Sequence, residues 1–279
     1  MSFSVFIPSH ITGFFTIMDN DNILKKGSCG MGFLLSKGVR TSIKSTLKDE
    51  TLIKINGKID KTKQPIVDEV LKLLHIDYPV KISQEIEVPV GCGFGTSAGQ
   101  ALGVAVGLCN DSITKAGQIA HTAEVNLGAG LGDVIAQTGK GLVLRVKPGA
   151  PGIGEIKSFN QEDMYVGCKF FGEIATSSII QDETYKKIIS KTGNEALISF
   201  KSDQTVQNFL DLSYRFSKET NLISDELLEV TSDLNSNEDI LGSSMAMLGQ
   251  TVFAFSKDKS AFPSDFTVYE LDNSGIKYD

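Results

Sequence analysis

The sequence predicts an α+β fold in two domains, and three observations along its 279 residues carry that prediction. Apolar and polar residues alternate through much of the stretch from Ser2 to Ile55, as in an antiparallel meander. Helical periodicity starts at Pro65 and returns in blocks between strand-like runs. A turn-rich stretch, Pro148-Gly149-Ala150-Pro151-Gly152, then interrupts the chain. The expected domains are therefore residues 1–152 and 153–279.

Ser2–Ile7 reads as a short strand that breaks at Pro8–Gly13, a loop with several hydroxyls and His10. His10 either lines a site or bonds backbone within a turn. Phe14–Met18 is apolar again. Asp19–Asn22 is an acidic turn without the remaining ligand spacing of a calcium loop. Gly27–Gly32 is a glycine-rich loop in which Ser28 is a ligand contact or turn chemistry. Phe33–Ser36, Val39–Leu47 and Thr51–Ile55 follow as strands, Pro65–His75 as an amphipathic helix and Val80–Val88 as a strand.

The centre of the chain is Pro89-Val90-Gly91-Cys92-Gly93-Phe94-Gly95-Thr96-Ser97-Ala98-Gly99. Glycines at alternate positions suit neither a strand nor a helix interior, because they add backbone entropy and pack nothing. They let backbone N–H groups approach a ligand closely. A helix begins directly after them, and its unpaired N–H groups and positive dipole end suit an anion such as phosphate. A plain glycine turn with a Thr96 or Ser97 cap is the alternative.

Within the helical run Ala98–Cys109, glycines recur every four residues at Gly99, Gly103 and Gly107, in step with Gly95. They share one helix face. Each costs up to about 1 kcal/mol against Ala in a helix interior, so the bare face implies a close neighbour. Asn110–Ser112 breaks the pattern, and Thr114–Leu127 is helical again. Glu124 sits there amid alanines, as a metal ligand or a solvated carboxylate. Another glycine loop, Gly128–Asp133, ends at an aspartate that either caps the short helix Val134–Gln137 or projects a carboxylate into a site. Gly141–Val146 is a strand. Its Arg145 is one of only three arginines among 27 basic residues, and a planar guanidinium holds a carboxylate in a way lysine does not.

Beyond the boundary, Ile156–Phe159, Met164–Phe171, Thr251–Ser256 and Phe266–Leu271 read as strands. Glu183–Ser190, Thr205–Glu219 and Asp225–Asn235 read as helices, and Leu241–Gly249 as a small-residue stretch.

Composition narrows the function. A net charge of -7 argues against a nucleic-acid surface. No apolar run approaches a membrane span, and the first ten residues do not read as a signal peptide. Four scattered cysteines without a C-x-x-C pair fit reduced thiols in a cytoplasmic protein.

The order P-x3-G-F-G-T-S-A-G, then Glu124 in a helix, then G-x-G-x-G-D ending at Asp133 resembles the GHMP kinase superfamily, whose phosphate motif reads roughly P-x3-G-L-G-S-S-A-A. Phe94, Thr96 and Gly99 depart from it, while Ser97 is retained. Ser9–Phe15, Gly27–Gly32, Leu35–Val39, Gly130–Val134 and Arg145–Gly152 are similar to one branch, the archaeal pantoate kinases.

The resemblance implies a two-domain GHMP-kinase fold, with an N-terminal domain like the second domain of ribosomal protein S5 and a ferredoxin-like C-terminal domain. It implies ATP-dependent phosphorylation of the 4-hydroxyl of pantoate in coenzyme A biosynthesis. By the same resemblance, Pro89, Gly91, Gly93, Phe94, Gly95, Thr96, Ser97 and Ala98 bind ATP, and Ser97 and Glu124 hold Mg²⁺. Asp133 is the catalytic base, and Arg145, Ser28 and His10 are the substrate contacts. Lys37 is a further candidate for neutralising phosphate. Superfamily analogy also implies a homodimer. The competing readings are a homoserine, shikimate or mevalonate type of kinase, and a non-catalytic ligand sensor on the same fold.

Overall fold

The computed structural model describes residues 2–46, 50–59, 64–109, 111–172 and 182–278. Leu47, the expected end of a strand, and Asn110, in the expected break between two helices, lie outside the described residues.

Among the described residues the fold is mixed α+β, built on two sheets. The first is eight-stranded, in the order β12-β1-β2-β5-β3-β4, with β6 paired to β2 and to β7. Its strands are β1 (Ser2–Met18), β2 (Gly27–Ser45), β3 (Leu52–Ile55), β4 (Lys58–Ile59), β5 (Val80–Ile86), β6 (Leu142–Lys147), β7 (Glu155–Phe159) and β12 (Lys277–Tyr278). Among the described strands, only β3 and β5 pair in parallel. The second sheet is antiparallel in the order β11-β8-β10-β9, from β8 (Tyr165–Gly172), β9 (Gly242–Met245), β10 (Gln250–Ser256) and β11 (Thr267–Glu270). Strands β7 and β12 lie beyond residue 152 yet join the first sheet, so the sheets do not divide at the turn-rich stretch.

Two expected loops are strand. Pro8–Gly13 lies inside β1, where register shifts at Pro8/Ser9 and Thr12/Phe14 bend the strand without ending it. Gly27–Gly32 opens β2. Its glycines answer close approach instead of a turn: a Cβ on Gly30 would strike the Phe14 and Phe15 backbone, and one on Gly32 the Ile11 carbonyl.

Helices α1 (Pro65–Leu73), α2 (Thr96–Leu108) and α3 (Ile113–Leu127) share a core with one face of the first sheet. The glycine face of α2 lies on β2, where Cβ atoms on Gly99, Gly103 and Gly107 would meet Val39, Thr41 and Ile43 in turn. The periods match physically: four helical residues rise about 6 Å, and two strand residues rise about 6.7 Å. Each glycine therefore meets the next inward strand residue. The other face of the first sheet packs on the second sheet through α5 (Glu183–Ser202), α6 (Val206–Glu219) and α7 (Asp225–Asn235). Phe33 of β2 is the hub, with ring centroids 5.1 Å from Phe253 and 4.9 Å from Phe255 of β10. Such edge-to-face pairs add about 0.5–1.5 kcal/mol each beyond area burial. Helix α5 outruns the expected Glu183–Ser190 because Gly193 continues it with its bare side against the Phe15 backbone.

Candidate active site

The loop before α2 holds Gly91, Gly93 and Gly95 at φ of +74°, +85° and +61°, a conformation that a side chain strains. Its carbonyls are tied from three directions. Cys92 accepts from Thr251 Oγ1 at 2.7 Å, Phe94 from the His10 amide at 3.2 Å, and Gly95 from Gln137 Nε2 at 2.9 Å. Gly95 is the N-cap of α2, and no side chain caps the helix, so the alternative of a Thr96 or Ser97 cap does not hold. The first N–H groups of α2 have no intrahelical partner, and the residues that carry them, Thr96–Ala98, line the same space.

That space is a cavity of about 370 Å³, whose wall includes Gly91, Gly93–Ala98, Glu124, Asp133 and Arg145. Pro89, expected among the ATP contacts, is not on the wall. Segment 246–249 closes one side: Gly249 abuts Cys92, and the Met247 amide donates to the Thr12 carbonyl at 2.9 Å.

Two carboxylates face the cavity in different states. Glu124 on α3 is buried and accepts from Ser97 Oγ at 2.5 Å. Burial, chiefly, pushes its carboxyl up to about 8; Asp133 adds to this and the Ser97 bond opposes it. Asp133 follows the N-cap Gly132, so it is the first residue of α4 (Asp133–Ala136) and not the cap. Burial alone would raise its carboxyl, but His10 and Arg145 outweigh that and hold it below its ordinary value. Its side chain is 28% exposed, toward the cavity.

Arg145 projects from β6 into the cavity wall with 1% of its surface exposed. Its Nη1 lies 3.3 Å from Thr12 Oγ1 and 3.4 Å from His10 Nε2; among the described residues it forms no ion pair and its Nε has no partner. A buried guanidinium left this open suits an anion from outside the chain. Ser28 is on the wall beside it, and a Cβ on Gly132 would overlap both side chains. His10 does not reach the wall: it is wholly buried behind Asp133, with Nδ1 2.6 Å from Oδ1. Direct contact with substrate, expected of His10, is not what the geometry offers. Lys37 is also off the wall and pairs with Glu87 at 2.8 Å. Thr12, Gln100, Met247 and Leu248 are wall residues that sequence reasoning missed. Leu248 carries a signal only in the structure, a φ of +63° in the turn between β9 and β10.

The chain is 36% identical over 261 residues to a pantoate kinase of Methanocaldococcus jannaschii, covering 92% of this chain and 93% of that one. It is 36% identical over 273 residues to a pantoate kinase of Thermococcus kodakarensis, covering 94% and 90%. The chain belongs to the pantoate kinase family. A solved structure described as a phosphotransferase related to the coenzyme A biosynthesis pathway matches the whole chain, and 99% of its own, at a TM-score of 0.90 and 32% identity. A homoserine kinase from Cytophaga hutchinsonii shares the fold at a TM-score of 0.68 and 16% identity, over 100% of this chain and 97% of that one. No family model matches the chain. Among the described residues, no helix is long and apolar enough to cross a membrane.

Proposed function

We propose that this family member transfers the γ-phosphoryl group of ATP to the 4-hydroxyl of pantoate within the cavity between the glycine loop and Arg145. The observation that carries the reading is a buried guanidinium with no carboxylate ion-paired to it among the described residues, set on the same wall as an uncapped helix N-terminus. An alcohol that also bears a carboxylate satisfies both.

Phosphoryl transfer depends mainly on positioning and charge. The amides of Gly93–Ser97 cradle the phosphates. Arg145 takes the pantoate carboxylate, and Ser28 and Thr12 supply hydroxyl partners beside it. Asp133, ionised and open to the cavity, accepts the proton of the attacking hydroxyl.

The residues present fit Mg²⁺. Glu124 is a carboxyl raised chiefly by burial, next to the Ser97 hydroxyl. No group of three or more potential ligands among His, Cys, Asp and Glu occurs among the described residues. Two oxygen donors agree with an ion that keeps several waters and takes phosphate oxygens. When bound, Mg²⁺ neutralises charge on the transferring phosphate. Ser97 and Glu124 would hold it.

In the same reading the enzyme is cytoplasmic, its cysteines free thiols. The test is ADP release with ATP, Mg²⁺ and a panel of pantoate, homoserine, mevalonate and shikimate. Turnover with pantoate alone is expected; turnover with one of the others and none with pantoate overturns the assignment.

A further inference from the structure

His10 is the one imidazole among the described residues that touches both the candidate base and the candidate carboxylate binder, yet it lies off the cavity wall. Its two nitrogens face chemically opposite neighbours. Nε2 is 3.4 Å from Arg145 Nη1, and a guanidinium only donates. Nε2 must then be the bare, accepting nitrogen. The ring proton is left on Nδ1, 2.6 Å from the Asp133 carboxylate that accepts it. The neighbours therefore select one neutral tautomer. The ring has little freedom to turn: a Cβ on Gly32 would overlap Nε2, and the His10 amide is bonded to the phosphate loop at Phe94.

We infer that His10 is a positioning residue: as the neutral Nδ1–H tautomer it anchors Oδ1 of Asp133, leaves Oδ2 for the acceptor hydroxyl, and keeps Asp133 from pairing directly with Arg145. Asp133 Oδ2 is on the Gly130 side, 3.5 Å from where a Cβ on that glycine would sit. Without the imidazole, a buried carboxylate and a buried guanidinium would turn toward one another, since Asp133 would lose its donor and Arg145 would keep only the Thr12 hydroxyl. The base would lose its aim and the substrate carboxylate its receptor. His10 gives each charge a neutral partner and keeps both available. The inference rests on reading Asp133 as the base of the proposed reaction.

The first test needs no turnover. Nitrogen-15 NMR of histidine-labelled whole protein, with His10 assigned from its loss in His10→Asn, reads the tautomer at neutral pH. Nδ1 protonated and Nε2 bare is expected, with the Nδ1 proton far downfield and moved upfield in Asp133→Asn. A protonated Nε2, or a proton indifferent to Asp133→Asn, overturns the inference whatever the acceptor proves to be.

The second test is kinetic. His10→Ala should lower kcat with pantoate about 10- to 100-fold, as loss of a group that orients a functional side chain does, and change the pantoate KM by less than about threefold. His10→Asn, whose amide donates from the Nδ1 position, should recover several-fold of that loss. A raised KM with kcat retained would mean that His10 binds substrate, and would sink the positioning role. If His10→Ala does not fold, the Asn variant and the NMR experiment decide. Failure of wild-type protein to phosphorylate pantoate bears on the acceptor and leaves the tautomer measurement intact.

Discussion

The hydroxyl of Thr251 donates to the carbonyl of Cys92 at 2.7 Å, so a strand of the second sheet fixes the loop that the first sheet presents. The bond is buried, and it turns a carbonyl away from the space where phosphate would bind. Thr251→Val keeps the shape and removes the donor. Leaving a buried acceptor unsatisfied costs about 1–3 kcal/mol. Steady-state kinetics should show the ATP KM several-fold higher and the pantoate KM unchanged.

The glycine face of α2 makes a graded prediction. Gly103 lies over Thr41, whose Oγ1 is held by Gln84 Nε2 at 3.0 Å and cannot step aside. Gly107 lies over the tip of Ile43 and the ring edge of Phe3, side-chain ends that can shift. Alanine gains up to about 1 kcal/mol of helix propensity at either site, but overpacking costs about 1–3 kcal/mol where the neighbour is fixed. Gly103→Ala should lower the denaturation midpoint clearly, and Gly107→Ala little or not at all. Urea unfolding of the two variants separates them.

Glu124 gives a pH dependence with a definite sign. Its folded carboxyl stands near 8 against an ordinary value of 4.5. A carboxyl raised on folding leaves stability whole below the unfolded value and erodes it as pH climbs toward the folded one. Glu124→Gln removes that loss and leaves the histidine contributions common to both proteins. In metal-free protein, the melting temperature of the variant minus that of wild type should widen between pH 4.5 and 8. Mg²⁺ and ATP should narrow the gap by stabilising wild type alone.

Arg145→Lys keeps the positive charge and loses the planar fork. Loss of a hydrogen bond to a charged group costs about 1.5–3 kcal/mol, or roughly 10- to 100-fold. That factor should appear in the pantoate KM, with the ATP KM little altered.

Much of the site was legible because its chemistry is local. Gly91–Ser97 is a short segment whose residue types already suit an anion; Glu124 and Asp133, ambiguous alone, gained their expected roles from the order of the three segments and the family resemblance. Arg145 stood out because the chain uses arginine so sparingly. The spacing of Gly99, Gly103 and Gly107 forecast a close neighbour, though not which one; β2 is 50 or more residues upstream. What was hidden depends on distance along the chain. The His10–Asp133 contact spans 123 positions, so nothing near His10 marks its partner. Proline and glycine misled within Pro8–Gly13 and Gly27–Gly32, because a bulged strand in close contact uses the same residues as a turn.

The most direct test of the central claim is a phosphorus-31 NMR spectrum of the protein with ATP, Mg²⁺ and pantoate. Transfer to the 4-hydroxyl yields a phosphomonoester split into a triplet by the two protons on carbon 4. The account predicts that triplet, growing with ADP, and a rate about 10²- to 10⁴-fold lower in Asp133→Asn. No new phosphoester, a doublet from the 2-hydroxyl, or an Asp133→Asn rate within a few-fold of wild type would contradict it.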